Sequence, residues 1–180
     1  TGAITQSSVV NDVWREIGDK SKHVVVQVAP AVRAALGEEF HYHIGTSVAE
    51  KIPAALRRMG FEHVFDTNFG ADLTIVEEAN ELVERLKEGK NLPLITSCCP
   101  GWINLIEKRF PELLHLPSSC KSPHEMFGAI AKSYFAKMKG YDPKDVVVVS
   151  IMPCTAKKDE MNREQLMNFG LKDVDYVLTT

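Results

Sequence analysis

Cysteine is scarce in this sequence: Cys98, Cys99, Cys120 and Cys154 are the only four among 180 residues. Thiols this few and this widely spaced exclude a disulfide-rich scaffold, in which bridges stand in for a small core. Adjacent cysteines bridge only through a strained ring, so a structural Cys98–Cys99 disulfide is disfavoured, and metal binding or thiol chemistry is favoured instead. An excess of positive charge is also lacking. Lys and Arg number 21 against 24 Asp and Glu, a formal net charge of -3, and scattering them among acids excludes the clustered cationic surface that nucleic-acid phosphates require. No apolar run approaches the roughly 20 residues of a membrane span. The opening TGAITQSSVV has neither the basic head nor the apolar stretch of a secretory signal, which makes the cytoplasm the expected compartment. Internal repeats, low-complexity segments and an interdomain linker are missing too.

What is present alternates. With 44% hydrophobic and 25% charged residues, the chain has the composition of a globular domain, or of one lobe of a larger one. Residues 23–29 (HVVVQVA) form a short β-branched apolar run, the pattern of a strand buried on both faces. Helical spacing follows in PAVRAAL and, after a His-rich loop, over residues 46–60, where Thr46 is a candidate N-cap, Pro53 a kink or restart, and Gly60 a stop. Residues 62–67 predict a second strand, and residues 71–87 a long helix closed by Gly89. LPLIT at 92–96 predicts a third strand, with Cys98 and Cys99 on its exit. A helix through WINLIEKRF halts before Pro111. SPHEMFGAIAKSYFAKMKG predicts another, with Ser122 as N-cap, Pro123 at its first position and Gly140 at its end. Residues 145–153 (DVVVVSIMP) predict a fourth strand with Cys154 beyond it, and VDYVLTT can begin a fifth. The fold class implied is α/β, with a mostly parallel sheet flanked by helices.

In such a sheet, ligands bind outside the carboxyl ends of the strands. The exits here carry Ala29-Pro30, Cys98-Cys99-Pro100 and Met152-Pro153-Cys154, three segments placed to converge on one crevice. Proline at each exit fixes φ and removes a backbone donor, ending the strand stiffly. Cys99 precedes a helix that starts near Pro100, whose dipole favours a thiolate, and a thiolate there suits iron. Other residues have blander readings. Cys120 is expected to be a buried small hydrophobe, and His41 and His43 to be solvent-exposed. Glu77 and Glu84 belong to a solvated helix face. Glu78, Glu81 and Arg85, at i, i+3 and i+7, share another stripe that is either a surface ion-pair ladder or a proton route.

TSCCPGW, followed some fifty residues later by MPCTAKKDE, resembles the first two signature motifs of the [FeFe]-hydrogenases, the second having the form M-P-C-x-x-K-x-x-E. VQVAPAVR, FDTNFGADLTIVEE and SSCKSP are similar to that family's catalytic domain in the same order. The resemblance implies the two-lobed iron hydrogenase large-subunit fold and an H-cluster, a [4Fe-4S] cubane joined to a diiron azadithiolate unit with CO and cyanide ligands. By resemblance, Cys99 and Cys154 are cubane ligands, and Cys98 is the thiol that passes protons on. The relay continues through Glu78, Ser118, Glu81 and Arg85; a carboxylate in it must exchange protons near working pH, and partial burial would raise its pKa toward that range. Lys157 matches the lysine that hydrogen-bonds a cyanide, Ala29 and Pro30 the exit that meets the other cyanide, and Met152 and Pro153 the wall near the bridging CO. His124 stands where several relatives have Gln, beside the diiron unit.

The family's third motif, with two further cysteine ligands and a glycine-rich run, does not occur before Thr180. The expectation is therefore a single truncated domain, residues 1–180, as the N-terminal lobe of the catalytic domain, inactive alone and completed by the remainder of that domain. Electron donors implied are an iron-sulfur domain or subunit, ferredoxin, or NADH-linked subunits. Two other classes compete: a hydrogenase-like iron-sulfur assembly or sensing protein without a diiron unit, which needs no relay thiol beside the ligand, and a dithiol switch or zinc site, against which the lack of any CxxC or His pair counts.

Overall fold

The computed structural model describes residues 7–168 and 170–180. Within them, strands His23–Val28 (β1), His63–Asp66 (β2), Val146–Met152 (β3) and Tyr176–Thr179 (β4) form one sheet in the order β2-β1-β3-β4, parallel throughout. The two valine-rich strands are central, as their lack of polar alternation predicts. Val25, Val26, Val148 and Val149 are fully buried. β1 pairs with β3 along its whole length, from His23 opposite Val146 to Val28 opposite Ile151.

Helices Val10–Gly18 (α1), Val32–Ala35 (α2, running into a 3-10 turn at Leu36–Phe40), Lys51–Met59 (α3) and Asn68–Glu88 (α4) precede Pro100–Arg109 (α5). Pro123–Ile130 (α6) continues through a π-helical turn, Ala131–Phe135, into Ala136–Lys139 (α7), and Lys157–Glu160 (α8) follows β3. Val13, Ile52, Leu56, Phe127 and Ala131 from these helices complete the core around the strands. Gly60, Gly89 and Gly140 end their helices with φ of 106°, 65° and 74°, as their positions predict.

Three features differ from expectation. First, α1 was not anticipated, although Val10, Val13, Trp14 and Ile17 recur at helical spacing. Second, the helix expected over 46–60 starts only at Lys51, leaving Thr46 outside. Pro53 then falls in the first turn, where a missing N–H breaks no helical bond, so no kink arises. Third, residues 92–96 do not join the sheet. Pro93 lacks a donor, and Ile95 alone pairs, its N–H to Leu116 O at 3.1 Å and its C=O to Ser118 N at 2.7 Å, in an isolated parallel bridge.

From β1 the chain moves to one side for β2, then returns past β1 to lay down β3. The order reverses between β1 and β3, so the crevice of this sheet opens at their carboxyl ends.

Candidate metal centre

The register that places Val28 opposite Ile151 also sets the two exits side by side, with Ala29 N–H bonded to Ile151 O at 2.9 Å. Because that amide is engaged and Pro30 has none, neither residue has a backbone donor for a ligand. On the neighbouring exit Met152 is buried, Pro153 exposed and Cys154 half-buried. Lys157 N–H donates to Cys154 O at 3.3 Å, closing the turn into α8.

Cys98 and Cys99 do not follow a sheet strand, a correction to the sequence reading that comes from the isolated pairing of Ile95. They reach the same end of the molecule by another route. Cys99 caps α5 with extended backbone, and Pro100 is buried at the first helical position. α5 is tied to α8 and the turn after it: Arg163 bonds Glu107 and Asn104 at 2.7 Å, and Asn104 Nδ2 reaches Asp159 at 3.1 Å. Above all, Lys157 Nζ donates to Cys98 O at 2.8 Å. That bond joins the two cysteine-bearing segments directly. All four cysteines are free thiols.

Part of the predicted stripe assembles. Glu81 Oε1 accepts from Arg85 Nη2 at 2.5 Å, and Oε2 accepts from Ser118 Oγ at 2.9 Å and from Ser119 N–H at 3.0 Å. Arg85 also donates to Asn91 O, Leu116 O and Pro117 O, so the guanidinium clasps the loop that carries Ser118. Glu81 is therefore not the near-neutral carboxyl expected of a relay. Burial pushes its pKa up, but Ser118, Ser119 and Arg85 outweigh burial and hold it below the ordinary carboxylate value. Glu78 stands apart: its Oε1 is buried and has no hydrogen-bond partner, and neither Ser118 nor Cys98 bonds it. Cys120, expected as a plain hydrophobe, is half-buried with Sγ 3.9 Å from Glu81 Oε2, and burial followed by the nearby acids raises its pKa. His41, His43, Glu77 and Glu84 are exposed, as read.

His124 is almost fully buried. Nε2 lies 2.7 Å from Glu160 Oε2 and Nδ1 3.4 Å from Ser150 Oγ, so both ring nitrogens face protein groups rather than open space. Sequence reasoning missed Glu160 and Glu125 as partners here. The acid in M-P-C-x-x-K-x-x-E was the available signal for Glu160; nothing in the sequence marked Glu125.

Residues 22–180 match the family model for the iron only hydrogenase large subunit, C-terminal domain. The chain belongs to the iron-only hydrogenase family. It is 50% identical over 188 residues to the NADP-reducing hydrogenase subunit HndD of Solidesulfovibrio fructosivorans, matching 100% of this chain and 32% of that protein. An apo [FeFe]-hydrogenase, HydA1 from Chlamydomonas reinhardtii, superposes with a TM-score of 0.90 at 48% identity, over 96% of this chain and 45% of that one. A cytosolic Fe-S cluster assembly factor, narfl of Xenopus tropicalis, is 39% identical over 88% of this chain and 35% of that protein. The chain thus spans about a third of these two curated relatives.

Proposed function

We propose that this chain is the N-terminal lobe of an [FeFe]-hydrogenase catalytic domain and takes part in the reversible reaction of two protons and two electrons to give H2. The observation that carries this reading is the Lys157 bond to Cys98 O, which draws the vicinal thiols to the turn after Cys154. The donor set fits half of a [4Fe-4S] cubane, which takes four thiolates. Cys99 and Cys154 are the two assigned here, and the remainder of the longer polypeptide supplies the others. When bound, the cubane and the diiron azadithiolate unit with its CO and cyanide ligands supply the redox and proton-reducing chemistry.

The chain's own residues shape the pocket. Lys157 has three N–H donors; Cys98 O and Glu160 take two, which leaves one for a cyanide. Met152 supplies an adaptable apolar wall, with Pro153 and Pro30 as stiff rims. Cys98, exposed on the loop beside Cys99, holds the proton at Sγ, and the unpartnered Glu78 Oε1 is a free station for it on α4. Ser118, Glu81 and Arg85 form a fixed, ionised outer segment. Electrons enter from an iron-sulfur domain or subunit, with ferredoxin or NADH-linked subunits behind it.

In the matured full-length enzyme, Cys98→Ala is expected to retain the CO and cyanide infrared bands while turnover falls by about 10²-fold or more. Glu78→Gln should slow turnover with the bands likewise intact. Disappearance of the bands from Cys98→Ala would instead assign iron ligation to Cys98. The assembly-factor relative supports a second reading, a protein holding iron-sulfur without a diiron unit; a matured full-length protein with iron but no CO or cyanide bands would favour it.

A further inference from the structure

Beneath the Cys98–Cys99 loop, four ionisable side chains meet away from water. His124 and Glu125 are each 1% exposed and Glu160 5%. His124 Nε2 lies 2.7 Å from Glu160 Oε2 and 3.1 Å from Glu125 Oε1, and the same Glu160 Oε2 lies 2.7 Å from Lys157 Nζ. Glu125 Oε1 makes no hydrogen bond of its own. With both carboxylates ionised the site requires two cations, because an uncompensated buried charge is expensive. Lys157 is one. A His124 protonated on both nitrogens is the other, and with it the group is electroneutral.

The surroundings accommodate that form. The strands present only neutral groups: Ser150 Oγ, 3.4 Å from Nδ1, can accept its proton, and Gln27 Nε2 donates both to Ser150 Oγ at 2.8 Å and to His124 O at 2.9 Å. The charged groups facing the ring are Glu125 on its own helix and Glu160 and Lys157 on α8. We propose that His124 is a positioning residue kept as an imidazolium, which fixes the Glu160 carboxylate and through it seats the Lys157 ammonium against the Cys98 carbonyl. Only the identity of what Lys157 faces rests on the hydrogenase reading. Burial works against the charge on His124, yet the nearby Glu125 carboxyl and the hydrogen bond to Glu160 raise its pKa above the ordinary value; Glu160, also opposed by burial, is held low by His124 and Lys157. His124, Glu125 and Glu160 are near enough together to hold a metal cation, but the Lys157 ammonium already fills the positive position at Glu160.

The test begins with 15N-histidine NMR of the full-length polypeptide without its cluster. One buried imidazole should keep both ring protons at about pH 7.5, above the ordinary histidine pKa of about 6.5; this measurement needs no variant to fold. In the matured enzyme, His124→Gln should displace the cyanide stretching bands and lower turnover. A neutral buried imidazole at that pH overturns the proposal. So do cyanide bands unmoved by His124→Gln, and so does stoichiometric Zn2+ uptake that the same substitution abolishes. If the matured wild type shows no CO or cyanide bands at all, the hydrogenase reading fails, while the imidazolium result stands or falls by NMR alone.

Discussion

Glu81 shows how a single carboxylate can be half-buried and still more acidic than an ordinary one. Its four donors hold the charge, so it contributes stability that is present above the ordinary carboxylate value of 4.5 and lost as pH falls through the lower folded value. Replacing it by Gln removes hydrogen bonds to a charged group and leaves Arg85 without its carboxylate. Glu81→Gln is expected to destabilise the folded protein by about 1–3 kcal/mol at neutral pH, with the difference shrinking toward acid. Denaturant melts at two pH values check both size and sign. The pair Glu81–Arg85 was legible from spacing alone, since i and i+4 side chains meet on any helix. Their bonds to Ser118 and to the 116–117 carbonyls were not, because spacing within one helix is silent about what packs against it. Glu125 was illegible for the same reason: an acid in the first turn of a helix normally faces water.

Among the elements, α4 and α6 approach closely at Gly70. A Cβ there would lie 2.1 Å from Pro123 O, a backbone atom that cannot swing aside. Gly70→Ala must push apart the helix that carries Glu78 and Glu81 and the one that begins with Pro123 and His124. The expected cost is about 1–3 kcal/mol, typical of overpacking, seen as a lower Tm with more disturbance at His124 than at the far end of the sheet. The β-branched runs of β1 and β3 were readable because burial on both faces leaves an unbroken apolar signature. LPLIT carried the same signature yet stays outside the sheet, since an apolar run does not say which neighbour it will pair with. α1 was overlooked despite a clear stripe at Val10, Val13, Trp14 and Ile17.

For the molecule as a whole, the α/β class and the parallel sheet followed from the order of periodicities. The sequence reading puts Cys98, Cys99 and Cys154 all on sheet exits; in the structure Cys154 follows a sheet strand, whereas Cys98 and Cys99 lie at the cap of α5, their loop bonded by Lys157. On the proposed reading this chain supplies two cubane ligands, so each should be indispensable. Cys99→Ala and Cys154→Ala in the full-length protein are each expected to strip most iron from the cubane, measured as iron per polypeptide. Normal iron in either variant removes that residue from the ligand set.

The lysine that clasps the vicinal-thiol loop lies 59 residues downstream of it. A chain cut anywhere between Arg109 and Lys157 would therefore keep both thiols and lose the bond that holds their loop. Forming that bond requires β3 to dock beside β1 and α8 to follow it. The thiol loop is thus seated by a segment that the chain lays down well after it.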